Sequence, residues 1–193
     1  MCLPTLNVTH FYSIWKPLLI FVNEQYEIAP DLLGARPDGQ NIQFDTADAI
    51  ELRNKLWEDE TLLDKFIVQN PANLRDTDLE MAKTWKHRRL GDFIIYKCLK
   101  NHAIFLNWDN STEVFYVKGL ASSFDEIFPY FPIMIVTGLL PYGDQIITDG
   151  LFQSYGVSFG KGIRTHMKSS YDDAKERDNI ITSLLPSAPL THA

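Results

Sequence analysis

The sequence contains few residues that could cross-link the fold or bind a metal. Cys2 and Cys98 are its only cysteines, and its five histidines are scattered. Disulfide frameworks and cysteine-rich zinc sites both need more thiols at closer spacing. A long apolar run is also missing, because residues 18–22 are too few to span a membrane and lack the layout of a signal peptide. We therefore expect a reduced, cytoplasmic, soluble protein with no metal, no cofactor and no membrane association.

Positive charge is scarce as well. The chain has 18 Lys and Arg against 25 Asp and Glu, which gives a net charge of -7. Phosphate contacts need clustered cations, so nucleic acid is not the expected partner. Apolar residues, in contrast, make up 45% of the chain and include twelve Phe, eight Tyr and four Trp. This composition is typical of a globular protein and leaves a protein partner and the oligomeric state open.

The first half of the sequence has helical periodicity, with helices predicted over residues 10–26, 46–57, 61–69 and 77–89. Asp45 or Thr46 is placed to cap the second helix. The segment from Thr77 to Glu80 matches the capping box, in which a threonine and a glutamate satisfy the first free amides. Gly91 stands where a glycine that terminates the fourth helix is expected.

The pattern then changes to short β-rich segments, over residues 92–99, 102–108, 113–120, 133–140 and 145–148. Ser123 and Glu126 form a second capping box and predict a short helix. Residues 165–184 are predicted as the last helix, and the tail 186–193 as frayed. The fold class is therefore α+β: a single domain over residues 1–193, in which a mainly helical part (1–90) precedes an antiparallel β-meander of about five strands and a closing C-terminal helix (91–185).

A glycine-flanked serine is the first candidate for chemistry. Residues 156–160 fit G-x-S-x-G, the turn that presents the serine nucleophile in α/β-hydrolases. His166 and Asp149 would have to supply the base and the acid, but His166 falls within the predicted helix and the sheet is predicted to be antiparallel. Ser158, His166 and Asp149 are therefore weak catalytic candidates. The favoured interpretation is that the glycines shape a turn and Ser158 bonds to the backbone there.

The same glycine-rich segment also suggests an anion site. It does not match a Walker loop, but its amides lead into a helix beside two cations. A second candidate surface is the basic cluster 83–89, although cations at a helix end more simply offset the helix dipole. The proposed binding residues on these two surfaces are Lys161, Arg164, Tyr142, Trp85 and Arg88.

Two long segments, residues 66–106 and 139–164, resemble a family of uncharacterised bacterial proteins that often carry a C-terminal SEC-C zinc-binding module. The likeness covers roughly residues 10–184. Its most specific pieces are Asn70-Pro71, Trp85-Lys86, Leu140-Pro141, residues 147–151 and residues 158–160. The module's cysteines are absent here, so the resemblance implies an intracellular bacterial domain of unknown function and no zinc role.

Together these features favour a non-enzymatic binding or regulatory module. The alternative is a hydrolase or an anion- or phosphate-binding enzyme that uses the segment 156–162 and Ser158. The two hypotheses differ in the surroundings of Ser158. An enzyme needs this hydroxyl exposed in a cleft and within about 3 Å of a base.

Overall fold

The computed structural model describes residues 2–39 and 42–186, without the side chains of residues 5 and 6. The chain divides into two compact units. We call Pro4–Lys86 the helical unit, and Met1–Leu3 with His87–Ala193 the sheet unit. These units follow the predicted helical and β-rich parts, while their union in one domain stays a prediction. No helix in the described ranges is long and apolar enough to cross a membrane.

Among its described residues the helical unit has four α-helices, α1 (Thr5–Tyr26), α2 (Thr46–Glu58), α3 (Thr61–Gln69) and α4 (Asp76–Thr84). It also has the short 3-10 turn Pro30–Leu32, and a second such turn, Trp85–His87, follows α4. Aromatic rings fill its core. Trp15 lies 5.5 Å from Trp85 and 6.0 Å from Trp57 between ring centroids. Large rings bury much apolar surface per residue, which helps four helices to make a compact unit.

Local capping signals were correct for α2 and wrong for α4. Asp45 caps α2 by accepting a hydrogen bond from the Ala47 amide at 2.8 Å. Thr77, in contrast, lies inside α4, which begins at Asp76 and ends at Thr84 rather than near residue 89. Gly91, predicted to terminate that helix, lies within a strand. A capping box only states which residues suit a cap, and tertiary partners decide whether they serve as one.

Asp78, which lies within the predicted box, is bound by residues outside it. This buried carboxylate accepts two hydrogen bonds from Arg75, each at 3.0 Å. It also lies 2.8 Å from His10 Nε2 on α1. The hydrogen bonds from Arg75, followed by the contact with His10, hold the pKa of Asp78 below its usual value.

In the described part of the sheet unit there are six strands: β1 (Arg89–Cys98), β2 (Ala103–Asn107), β3 (Val114–Lys118), β4 (Ile133–Tyr142), β5 (Gln145–Thr148) and β6 (Gln153–Tyr155). Two helices accompany them, α5 (Phe124–Ile127) between β3 and β4, and α6 (Lys161–Glu176) after β6. The predicted capping box of α5 is confirmed, since the Ser123 amide donates to Glu126 Oε2 at 2.8 Å. α6 starts earlier and ends earlier than predicted, and most of the tail predicted to fray, residues 187–193, lies outside the described residues.

The strands form a mixed sheet rather than an antiparallel meander. β1, β2 and β3 pair in sequence, and β4 returns to pair with β1. This is the order of a Greek key. β5 then pairs antiparallel with β4 and parallel with β3, so the pairings close a ring β1–β2–β3–β5–β4–β1. The α+β class is confirmed, but the purely antiparallel meander of five strands was wrong, because periodicity identifies strands and not their distant partners.

The ring has an inner and an outer apolar face, as the alternation of side chains along a strand requires. Phe93, Phe105 and Phe115 are among the side chains of the inner core. On the outer face, Ile94, Ile104 and Leu106 pack against α6. α6 contributes three buried residues to this face, Met167, Tyr171 and Ala174.

Candidate functional site

Ser158 is exposed, and within the described residues no base lies in hydrogen-bonding contact with it. Its side chain makes no hydrogen bond with a residue in the described ranges, so the predicted bond to the backbone is not formed. Gly156, Gly160 and Gly162 have no positive φ, and a Cβ added at any of them meets nothing within 4 Å. Neither backbone conformation nor space therefore requires glycine in this segment.

Asp149 is a structural carboxylate. It is only 1% exposed and lies between β5 and β6. Its Oδ1 accepts hydrogen bonds from Thr137 Oγ1 at 3.2 Å and from the Leu151 amide at 3.0 Å, while its Oδ2 accepts from the Gly138 amide at 3.2 Å. These donors fix the chain where it passes from β5 to β6. Asp149 is not hydrogen-bonded to His166.

Two of the five predicted binding residues are not at a surface. Trp85 and Tyr142 are buried, and burial raises the pKa of Tyr142. Arg164 Nε donates to the backbone carbonyl of Phe159 at 3.0 Å, while Lys161 is exposed at the start of α6. Arg88 is half-buried. Trp85 and Tyr142 are therefore core residues, which corrects their assignment to a binding surface.

The basic cluster that contains Trp85 is partly neutralised. Lys83 Nζ lies 2.5 Å from Glu80, and Lys86 Nζ lies 2.5 Å from Asp64. Both ion pairs are at the surface of the helical unit, where each contributes little to stability. They nevertheless reduce the local positive charge that a polyanion would need.

A cavity of the sheet unit lies under the N-terminal half of α6. We call it the α6 cavity. Its volume is about 420 Å³, and it is lined by Ile94, Leu106, Asn107, Trp108, Ser111, Gly162, Ile163, His166, Met167 and Ser170. The apolar members Ile94, Leu106 and Met167 are buried, whereas Trp108 and Ile163 are each 43% exposed. The α6 cavity thus joins a buried apolar lining to two large apolar side chains that solvent reaches.

A polar pair crosses the wall of the α6 cavity. Ser111 Oγ lies 3.0 Å from His166 Nε2, which links the loop after β2 to the second turn of α6. The sequence motif had associated His166 with Ser158. The structure instead brings together two residues that are 55 positions apart.

Hydrogen bonds hold the loop that carries Trp108 and Ser111. Asn107 Oδ1 accepts from the Asp109 amide at 3.0 Å, and Asn107 Nδ2 donates to Glu113 Oε2 at 2.9 Å. The Trp108 amide donates to the carbonyl of Asp92 at 2.9 Å. Such side-chain to backbone bonds are the usual means of fixing a tight loop. This wall of the cavity is therefore organised before any ligand arrives.

The C-terminal half of α6 is held to the sheet by a different set of contacts. Tyr116 on β3 lies beside Tyr171, and its burial, with the neighbouring Tyr171 hydroxyl, raises the pKa of Tyr116 to about 12. Lys97 Nζ lies 4.5 Å from the centroid of the Tyr171 ring, a cation–π distance. These contacts hold this half of the helix against the sheet, beside a smaller cavity of about 170 Å³ that Ser111 and His166 also line.

Both cysteines line a second cavity of the sheet unit, of about 560 Å³, together with Ser123 and Asp125. Both are free. Burial and the charge of Asp125 raise the pKa of the Cys98 thiol to about 11, so the thiol is protonated at neutral pH. Within the described part of the chain, no group of three or more His, Cys, Asp or Glu could hold a metal ion.

Sequence reasoning found His166 but missed the rest of the α6 cavity. Trp108 was placed at the end of a predicted strand and Ser111 in an ordinary turn. The spacing of Met167, Tyr171 and Ala174 along α6 is a helical face and could have identified the buried side of the helix. Nothing local indicates which strands that side covers.

No family model, curated protein or solved structure matches the chain. Membership of the bacterial family described above therefore stays a prediction. Function has to be argued from the geometry and chemistry of the site itself.

Proposed function

We propose that the protein is a binding or regulatory module whose sheet unit binds a small, mainly apolar molecule in the α6 cavity. The observation that carries this proposal is the cavity of about 420 Å³ with a buried apolar lining. Ligand sites of proteins are typically concave, mainly apolar and about 300–1,000 Å³ in volume. The two half-exposed side chains at the cavity, Trp108 and Ile163, gain burial when a ligand covers them.

The polar groups of the cavity define the second requirement on the ligand. Ser111, His166 and Ser170 provide hydroxyl and imidazole groups beside the apolar surface. A few polar groups of this kind orient a ligand without contributing most of its binding energy. The ligand class is therefore an aromatic or aliphatic molecule with one hydrogen-bonding group, rather than a highly charged one.

The position of the cavity agrees with a fold-level analogy. A five-stranded Greek-key sheet closed or nearly closed on itself is also the plan of the OB fold, whose second and third strands form the ligand face. In the sheet unit α6 packs over β2 and β3, and the α6 cavity is the space left beneath it. The covered face and the net charge of -7 disfavour a nucleic acid strand and favour a small ligand.

Two serines that are neighbours on α6 provide a matched test. Ser170 lines the α6 cavity, whereas Ser169 is exposed and is not among the residues that line it. The probe is 2-naphthol, which has a fused aromatic body and one hydroxyl group, titrated by calorimetry. Ser170→Leu should weaken its binding at least tenfold by filling the cavity, and Ser169→Leu should leave the dissociation constant within twofold of the wild type.

The far-ultraviolet circular dichroism of both variants verifies that α6 is intact. Equal affinity of the wild type and Ser170→Leu for 2-naphthol would place the bound probe elsewhere and overturn the proposal. So would a complete absence of binding to the wild type at millimolar concentration. Quenching of Trp108 fluorescence, with Trp108→Phe as the reference, gives an independent measure of occupancy.

We also propose a cytoplasmic location and membership of the bacterial family with the SEC-C module, on the residues that carry the resemblance. The two free cysteines suit a reducing compartment. The hydrolase or anion-binding hypothesis for segment 156–162 has less support, because no base among residues 2–39 and 42–186 is hydrogen-bonded to Ser158. A test of location is fractionation of the native bacterium, in which recovery with the periplasmic fraction would contradict the cytoplasmic assignment.

A further inference from the structure

The contact between Ser111 and His166 offers more than hydrogen bonding to a ligand. A serine hydroxyl is a weak nucleophile until a neighbouring base accepts its proton. Ser111 Oγ and His166 Nε2 are 3.0 Å apart, which is within the range of such nucleophile–base pairs. In the neutral tautomer with its proton on Nδ1, the His166 ring accepts the hydrogen bond from the hydroxyl.

The surroundings let a reactant reach this hydroxyl. Both residues line the α6 cavity, with Ser111 half-buried and His166 exposed. An apolar group held in the cavity would keep a reactive carbon close to Ser111, and proximity of this kind is a large part of the rate gain in acyl transfer.

The start of α6 supplies donors beside the same cavity. The first amide of this helix to bond within it is that of Arg164, which donates to the Gly160 carbonyl at 3.1 Å. The amides of residues 161–163 precede it and, as in any α-helix, have no intrahelical acceptor. Gly162 and Ile163 carry two of these amides and also line the cavity. Donors of this kind stabilise the negative oxygen that forms during acyl transfer.

Building on the proposed function, we propose that Ser111 accepts an acyl group from activated esters whose acyl chain lies in the α6 cavity. Ser111 Oγ attacks the ester carbon while its proton moves to His166 Nε2. The bond from that carbon to the leaving oxygen then breaks. The oxygen keeps the electron pair and takes the proton from His166 Nε2, so that an alcohol or phenol departs and the imidazole is neutral again. Water hydrolyses the acyl-serine to a carboxylic acid and restores the hydroxyl. No oxidant or metal is needed.

The pair differs from a complete triad in one respect. His166 makes no further hydrogen bond within residues 2–39 and 42–186, so no carboxylate orients its ring. Orientation by a third group is the usual arrangement of such sites. We therefore expect acylation of Ser111 to exceed the background rate while turnover stays slow.

The test uses 4-nitrophenyl butyrate with the full chain, follows release of 4-nitrophenolate, and locates the butyryl group by peptide mass spectrometry. The wild type should release close to one equivalent in an initial phase and carry the adduct on Ser111. Ser111→Ala should abolish this phase, and His166→Gln should slow it by about 100-fold, the usual loss on removal of a general base. Ser158→Ala is the matched control and should react within twofold of the wild type.

The outcomes separate this inference from the proposed function. If 2-naphthol binds and no adduct forms on Ser111, acyl transfer is wrong and the binding site stands. If neither occurs, both fail. Acylation of Ser111 at an unchanged rate in His166→Gln would remove the base from the mechanism, and an adduct on lysines alone would overturn the proposal. Inhibition of the initial phase by 2-naphthol would support a shared site.

Discussion

Asp149 and Ser158 are glycine-flanked polar residues in one stretch of the sheet unit, and they have opposite surroundings. Asp149 is 1% exposed, and its two carboxylate oxygens accept hydrogen bonds from a hydroxyl and two backbone amides. Ser158 is exposed, and its side chain has no hydrogen-bond partner in the described ranges. The sequence presents them similarly, and both were candidates for the same catalytic group.

The difference follows from long-range pairing. The Asp149 amide donates to the Gly138 carbonyl at 2.9 Å, which ties the segment after β5 to β4. A Cβ at Gly138 would lie 2.6 Å from Asp149 Oδ2, so the carboxylate and this glycine fit each other. Gly150 has a φ of +81°, which also favours glycine. Segment 156–162 has no such requirement, so glycine content alone does not identify a constrained site.

Replacement of the buried carboxylate should have the largest effect on stability. Asp149→Ala leaves the amides of Gly138 and Leu151 without this acceptor, while the Thr137 hydroxyl keeps its bond to the Leu151 carbonyl at 2.9 Å. Each buried polar group that loses its partner costs about 1–3 kcal/mol, so the free energy of unfolding should fall by about 2 kcal/mol or more. Urea denaturation followed by circular dichroism measures the change.

The matched control is Asp144→Ala, which removes an exposed carboxylate from the hairpin between β4 and β5. Its effect should stay within about 0.5 kcal/mol, as for most surface substitutions. Equal denaturation midpoints for the two variants would show that the hydrogen bonds of Asp149 do not stabilise the fold. The proposed contrast between Asp149 and Ser158 would then be wrong.

The next largest effect is expected at the glycine that faces this carboxylate. Gly138→Ala places a methyl group against Asp149 Oδ2 and 3.0 Å from a Leu90 methyl carbon. Asp149 is short and fixed by its donors, so the contact is not easily relieved. Overpacking of this kind costs about 1–3 kcal/mol.

A double-mutant cycle tests the stated cause of that cost. Gly138→Ala should destabilise the Asp149→Ala background by clearly less than the wild type, because the clashing oxygen is gone. Additive effects in urea denaturation would assign the cost to Leu90 or to the backbone instead.

The predicted helices and strands show how much of the fold the sequence alone could indicate. The bounds of α3 and the cap of α2 depend on residues within a few positions of each other, and both were predicted correctly. The prediction that Gly91 ends a helix was wrong, because pairing with β4 extends strand β1 through that glycine. β6 was missed because its three residues are exposed and polar in part, so they have no apolar alternation to detect.

The candidate site shows the same limit. His166 was selected because a serine motif preceded it by eight positions, whereas its observed partner Ser111 lies 55 positions away. Whether two such residues meet depends on α6 packing across β2 and β3, and no local pattern encodes that packing. The apolar face of α6 was visible in the sequence, but the surface that it covers was not.

A smaller effect of opposite sign is expected in the segment that does not require glycine. Gly162→Ala places a methyl group in open space within the first turn of α6. Alanine is favoured over glycine inside a helix by about 1 kcal/mol. The free energy of unfolding should therefore rise by up to about 1 kcal/mol. Gly150→Ala is the contrasting control and should lose about 1–2 kcal/mol, because its φ lies in the left-handed region. Destabilisation by Gly162→Ala in urea would mean that a contact constrains this glycine.

The smallest effect is expected for Ser158→Ala, which removes an exposed hydroxyl without a hydrogen-bond partner in the described ranges. Stability should change by less than about 0.5 kcal/mol, with 2-naphthol affinity and the acylation rate of Ser111 unaltered. Its neighbour Phe159, which packs in the outer-face core, provides the contrast: Phe159→Ala should cost about 3–5 kcal/mol. These results would show that the segment contributes to stability through the buried Phe159 ring and not through Ser158. A loss of acylation in Ser158→Ala with Ser111 intact would reverse that assignment and restore the G-x-S-x-G serine as the reactive group.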